Sequence, residues 1–103
     1  MNDERPMATA TVQEDNERVI VTEWRFAPGA QTGWHRHEHD YVVVPLTAGR
    51  LLLESESGTA SSELTPGVSY FRTAGAEHNV VNDGDAELAF VEVELKGTTA
   101  GGG

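Results

Sequence analysis

Gly29-Ala30-Gln31-Thr32-Gly33-Trp34-His35-Arg36-His37-Glu38-His39-Asp40-Tyr41-Val42-Val43-Val44-Pro45-Leu46 sets three histidines at alternate positions directly ahead of a β-branched run. In an extended chain successive side chains point to opposite faces. His35 and His37 therefore share a face if this stretch is extended, and His39 shares their parity. A turn or bulge after His37 would break that parity for His39. Residues 41–46 (YVVVPL) read as a strand, and Pro45 places an edge, a bulge or the strand end there.

Outward from this stretch, the chain reads as short strands separated by turns. Residues 18–26 (RVIVTEWRF) are rich in β-branched and aromatic residues and stop at Pro28-Gly29. Residues 49–55 (GRLLLES) form another strand, followed by a turn near Ser57-Gly58 and a weaker strand ending near Thr65. Pro66-Gly67 is a turn dipeptide ahead of residues 68–72 (VSYFR). Residues 78–82 (HNVVN) lead into the Asp83-Gly84 turn, and residues 87–95 (ELAFVEVEL) close the series. In that last run Leu88, Phe90, Glu92 and Glu94 share one parity, and Ala89, Val91, Val93 and Leu95 the other. No segment keeps a helical period. Short strands with Gly/Pro turns every 8–12 residues predict an all-β sandwich or small barrel.

A chain of 103 residues makes one domain. We assign its core to about residues 8–96 and expect residues 1–7 and 97–103 to be flexible tails. Seven Lys and Arg against seventeen Asp and Glu give a net charge of −10, which disfavours nucleic acid and anionic membranes as partners. There is no cysteine, so disulfides, thiolate metal sites and cysteine nucleophiles are excluded. Residues 1–6 are polar, and no apolar run reaches the ~20 residues of a membrane span. The expectation is a soluble, cytoplasmic protein.

With thiolates excluded, a transition metal would need nitrogen and oxygen ligands. His78 lies 41 residues after His37. A third imidazole from a neighbouring strand would complete a facial triad with His35 and His37, a set suited to zinc, copper, iron or nickel with positions left open for substrate. The same spacing is also compatible with a solvated loop whose histidines hold nothing.

Two longer patterns bear on that choice. Gly29, five residues, His35, Arg36 and His37, with Gly49 closing, resemble the first motif of the cupins. Gly67, five residues, Thr73, Ala74, Gly75, two residues, His78, three residues and Asn82 resemble the second, with Thr73 where the family has proline. The wording of 24–29, 33–47 and 77–82 resembles small bacterial cupins associated with β-alanine degradation. The resemblance implies a small antiparallel β-barrel or jelly roll holding a divalent transition metal: iron, nickel, zinc or manganese. It implies His35, His37 and His78 as ligands. His39, at a position the family motif does not use, is a candidate fourth because it shares their parity. The family's glutamate would fall at position 41 or 42, where this chain has Tyr41 and Val42. A site of neutral imidazoles alone would leave the ion its full charge and suit an anionic ligand.

Tyr41 is then a candidate catalytic phenol or an aromatic filling the glutamate's volume. Arg72 is a candidate carboxylate-binding cation if it points inward, and an ordinary surface ion-pair partner if it does not. Trp34 reads as packing or a lid, Asn82 as a turn hydrogen bonder, and Gly49, Gly67 and Gly75 as turn geometry. The expected function is a metal-dependent enzyme of dioxygenase, lyase or isomerase type acting on a small carboxylic or amino acid. The alternatives are a non-catalytic metal-dependent module that binds or senses such an acid, and a structural dimer with a vestigial site. The resemblance also implies a homodimer, with residues 8–13 (ATATVQ) as an exchanging strand.

Overall fold

Alternating β-branched and aromatic residues form nine strands in the structure, a computed structural model that describes residues 5–97. They are β1 (Thr9–Asp15), β2 (Val19–Phe26), β3 (His35–Arg36), β4 (Asp40–Pro45), β5 (Gly49–Ser55), β6 (Gly58–Leu64), β7 (Tyr70–Arg72), β8 (Glu77–Val81) and β9 (Leu88–Leu95). Two sheets hold them, one of five strands in the order β1-β2-β9-β4-β7 and one of four in the order β3-β8-β5-β6. Every pairing between these nine strands is antiparallel. This is the all-β, small-barrel architecture that the turn spacing predicts. No helix occurs among the described residues, so none is long and apolar enough to cross a membrane.

Both sheets turn their apolar parity inward and share one core. Phe26, Tyr41, Val43, Leu88 and Phe90 of the larger sheet meet Leu51 and Val80 of the smaller. The Phe26 and Phe90 rings stack with centroids 5.7 Å apart. Register across the larger sheet places inward residues in rows. Ile20, Glu94, Tyr41 and Arg72 form one row, and Thr22, Glu92, Val43 and Tyr70 the next. Trp24, Phe90 and Pro45 follow, then Phe26 beside Leu88. The rows therefore pass from polar at one end of the barrel to wholly apolar at the other, and the polar end is where a site can form.

Turn chemistry fixes where strands stop. Pro66-Gly67 delays β7 to Tyr70 because Val68 N–H is taken by Thr65 O at 2.9 Å in the turn. At Gly49 the constraint is packing as well as φ (+152°), since a Cβ there would collide with Leu88 Cδ2. Of the expected tails, residues 1–4 and 98–103 lie outside the described residues. Met7 forms a parallel bridge to Gln31, and Gln31 N–H donates to Pro6 O at 2.9 Å, so pairing begins ahead of residue 8.

Candidate metal centre

The histidine stretch is extended only over His35–Arg36. There β3 pairs with β8 so that His35 stands directly opposite His78, which is how residues far apart in sequence become neighbours. His37 lies just past the end of β3 and is held by the other motif's loop. Its N–H donates to Ala76 O at 2.9 Å, and its carbonyl accepts from Gly75 N–H at 2.8 Å. Gly75 has φ +100°, a conformation open to glycine and strained for other residues. Asp40 Oδ1 steadies the same loop by accepting from Ala74 N–H at 2.8 Å.

The three Nε2 atoms converge. His35 Nε2 lies 3.1 Å from His37 Nε2, which lies 3.2 Å from His78 Nε2. Adjacent ligands at the ~2.1 Å length of a metal–imidazole bond stand about this far apart when their bonds meet near a right angle. The donor set therefore fits a divalent ion with a facial arrangement. Burial holds His37 down to about 4, with His35 and His78 adding to the effect. Burial also holds His78 down to about 4, with His35 and Arg72 contributing. Both rings are neutral near pH 7, the form in which an imidazole can ligate.

A polar shell orients these rings. His35 Nδ1–H donates to Gly33 O at 2.9 Å, with Thr32 Oγ1 3.3 Å away, which leaves Nε2 to face the cluster. Behind β8, the buried Asn79 side chain accepts from Gly33 N–H at 2.8 Å. Its amide donates to Gln31 Oε1 and Glu54 Oε1, each at 2.9 Å. Alternation along β8 thus points His78 inward while Asn79 pins the loop that carries His35.

His39 is not in the cluster, nor does it line the cavity beside it. Between β3 and β4 residues 37–39 belong to no strand, with a bend at His39, so the parity shared by His35 and His37 does not carry on to His39. Tyr41 lies 4.0 Å from His37, ring centroid to centroid, nearly parallel to it. Burial, then Glu92, pushes its phenol up to about 12, so in the metal-free protein it is neutral near pH 7. Arg72 lines the cavity. Its guanidinium lies 4.4 Å over the Tyr70 ring and donates to Phe71 O at 3.0 Å, and among the described residues it joins no ion pair. Trp34 is 58% exposed and sits on the outer surface beside Ser55 and Glu77. Asn82 is buried and donates to Phe26 O and Ala86 O while accepting from Gly84 N–H, as its reading as a turn residue requires.

The expectation of a site without a carboxylate is corrected. Glu92 and Glu94 of β9 line the same cavity, and each offers a carboxylate oxygen that lies with a His37 nitrogen inside a 4.8 Å cluster. Glu92 Oε2 is 3.9 Å from His37 Nε2. Burial first, then Glu94, raises the Glu92 carboxyl to about 7, against a hydrogen bond from Trp24 that lowers it. Both acids stand one strand across the sheet from Tyr41 and its neighbours: Glu94 is the cross-strand partner of Tyr41, and Glu92 that of Val43. The signal lay in β9, where two glutamates continue the parity of Leu88 and Phe90. The cavity itself measures about 280 Å³, with the histidines and acids on its wall and Leu53, Val80 and Phe90 as its apolar lining.

The sequence profile of the family described as "Cupin domain" matches residues 22–94. Beta-alanine degradation protein BauB of Pseudomonas aeruginosa is 63% identical over 92 residues, covering 89% of this chain and 97% of that protein. A crystal structure of a cupin domain from Bordetella pertussis superposes with a TM-score of 0.91 at 61% identity, over 93% of this chain and 100% of that one. The polyketide cyclase RemF of Streptomyces resistomycificus shares the fold, with a TM-score of 0.68 at 24% identity, over 90% of this chain and 70% of that one.

Proposed function

The chain belongs to the cupin domain family, and on that footing we propose that it holds one divalent transition metal on His35, His37 and His78 and uses it on a small carboxylic or amino acid. The observation that carries this reading is the convergence of three imidazoles, 3.1 and 3.2 Å apart, on the wall of one cavity. When bound, iron, nickel, zinc or manganese would supply Lewis acidity toward a ligand oxygen, the chemistry shared by dioxygenase, lyase and isomerase reactions. Arg72 offers a fixed cation to a carboxylate. Tyr41 offers a hydrogen-bond donor, and Glu92 sets a carboxylate beside His37. The name of the Pseudomonas relative supports a small amino acid, or an acid derived from one, as the ligand class.

Element analysis of protein purified without a histidine tag tests the reading. The expected result is about one transition-metal ion per chain, lost in His37→Ala and kept in His39→Ala. Oxygen uptake with candidate acids then separates a dioxygenase from a lyase or isomerase, and saturable binding without turnover identifies a sensing module. Protein that takes up no stoichiometric metal from iron, nickel, zinc or manganese salts would sink the proposal.

The homodimer is part of the same proposal. All seven residues of β1 are exposed on both faces of an edge strand, a position that folded proteins ordinarily cover or pair. Val21, Val42 and Val93, together with Phe71, form an outward row across the larger sheet, and none of them is fully buried. A second copy seated on β1 and this valine row would cover both.

A further inference from the structure

The outer face of the smaller sheet carries a polar network behind the histidines. Asn79 is its centre, paired across the sheet with Glu54 of β5 and only 2% exposed. An asparagine amide offers an acceptor oxygen and two N–H donors. The oxygen and both N–H groups are used: Oδ1 accepts from Gly33 N–H at 2.8 Å, and Nδ2 donates to Gln31 Oε1 and Glu54 Oε1, each at 2.9 Å. The amide is thereby fixed in one orientation, because a flip would set its N–H groups against the Gly33 N–H.

The segment ahead of β1 holds the two acceptors on which that orientation depends. Ala8 N–H donates to Gln31 O at 2.8 Å and Gln31 N–H donates to Pro6 O at 2.9 Å, so residues 6–8 run alongside Gln31. Arg5 reaches both acceptors. Its guanidinium lies 3.3 Å from Gln31 Oε1, and 3.3 and 3.2 Å from the two Glu54 oxygens. Hydrogen bonds from Arg5, then from Asn79, hold the Glu54 carboxyl below its ordinary value, so it stays an ionised acceptor. The Met7 methyl lies over Gly33, 3.6 Å from where a Cβ would stand. Residues 5–8 precede the stretch 22–94 that the cupin profile matches.

Gly33 joins this network to the triad. Asn79 holds its N–H on the outer side, and on the inner side its carbonyl accepts from His35 Nδ1–H at 2.9 Å. His35 Nε2 is then aimed at His37 Nε2, 3.1 Å away. We propose that residues 5–8 form a positioning arm of the histidine centre: by fixing the acceptors of Asn79 they set Gly33, and through Gly33 the ring of His35. This rests on the metal reading of the triad and adds to it residues that touch no ligand. Arg5, Gln31, Glu54 and Asn79 act through His35, as outer partners of a metal-binding imidazole do.

Cobalt(II), whose visible absorption follows the geometry of its ligands, is the probe. Titrated into the full chain against a competing chelator, it should bind Asn79→Ala about ten- to hundredfold more weakly and with an altered spectrum. Arg5→Ala combined with Ala8→Pro removes the guanidinium and one N–H of the arm. That variant should bind cobalt at least about fivefold more weakly, the effect of one hydrogen bond. Gly49→Ala, beside Leu88 at the apolar end of the barrel, lowers stability and should leave affinity and spectrum unchanged. Arm variants that bind cobalt as the unaltered protein does, or that lose no more affinity than Gly49→Ala, overturn the proposal. A second readout needs no variant to fold. Coupling between sites is reciprocal, so saturating zinc should slow hydrogen exchange at the Ala8 and Gln31 amides of the unaltered protein by at least about fivefold. Exchange there that is unchanged by bound zinc overturns the arm and leaves the metal reading intact, whereas a chain that takes up neither cobalt nor zinc removes both.

Discussion

Replacing Glu92 by Gln should stabilise the metal-free protein, and more so as the pH rises. The carboxyl sits in the core-facing row of β9, 8% exposed, beside Glu94 and the neutral His37. Burial lifts it from the ordinary glutamate value of 4.5 to about 7. The native state therefore holds a proton that the unfolded chain has released, and stability falls as pH rises through the window from 4.5 to 7. At ~1.36 kcal/mol per pH unit, the ionised group costs the fold about 3 kcal/mol once the pH exceeds 8. Gln keeps the oxygen that accepts from Trp24 and carries no charge. Urea unfolding followed by tryptophan fluorescence in chelator, from pH 5 to 8.5, should show the variant gaining about 2–3 kcal/mol on the unaltered protein across that range. For a domain of this size the gain corresponds to a Tm difference on the order of 10 °C or more. A difference between the two proteins that stays constant with pH would refute the reasoning, because only an elevated native carboxyl produces the slope. Saturating divalent metal should reverse the order, since a cation beside the carboxylate favours its ionised form.

The buried histidines act with the opposite sign. His37 is held at about 4 against 6.5 when unfolded, so the metal-free fold should lose up to about 3 kcal/mol as pH falls from 6.5 to 4, and His37→Gln should flatten that limb of the denaturation profile. Gly49→Ala should destabilise by about 2–4 kcal/mol by chemical denaturation, because the new methyl collides with the side chain of the buried Leu88 at a position whose φ of +152° already strains other residues. Light scattering should give a mass about twice the 11.1 kDa of one chain, and Val12→Asp on the exposed β1 should shift it toward a single chain; a monomer in the unaltered protein would remove the proposed partner copy.

Much of this was legible in the sequence because strand alternation is a local property. Gly49–Ser55 follows from its own composition, as does the inward set Leu88 and Phe90. The triad was legible because two motifs preserve fixed offsets from turn-forming glycines. His39 was misplaced because parity extrapolates only while the chain stays extended, and the stop after Arg36 is set by hydrogen bonds to Gly75 and Ala76, forty residues away. Glu92 and Glu94 were visible on the apolar parity of β9, but a charge on that parity at a strand end reads equally well as fraying into solvent. Only the pairing of β9 with β4 shows that the strand continues alongside Tyr41 and into the site. Arg72 was ambiguous for a related reason: which way an exposed arginine turns depends on the Tyr70 ring beneath it, a contact that sequence parity does not encode.

The alternation of β8 carries one more implication. A slip of one residue between β8 and its neighbours would turn His78 outward and swing Asn79 into the cavity. The error would remove an imidazole from the triad and at the same time release the loop that Asn79 pins through Gly33. A mispaired chain would therefore lack the proposed metal centre altogether, not hold it in a slightly poorer geometry. Under the proposed metal reading the ion would favour the correct strand register, because only that register brings His78 to His35 and His37.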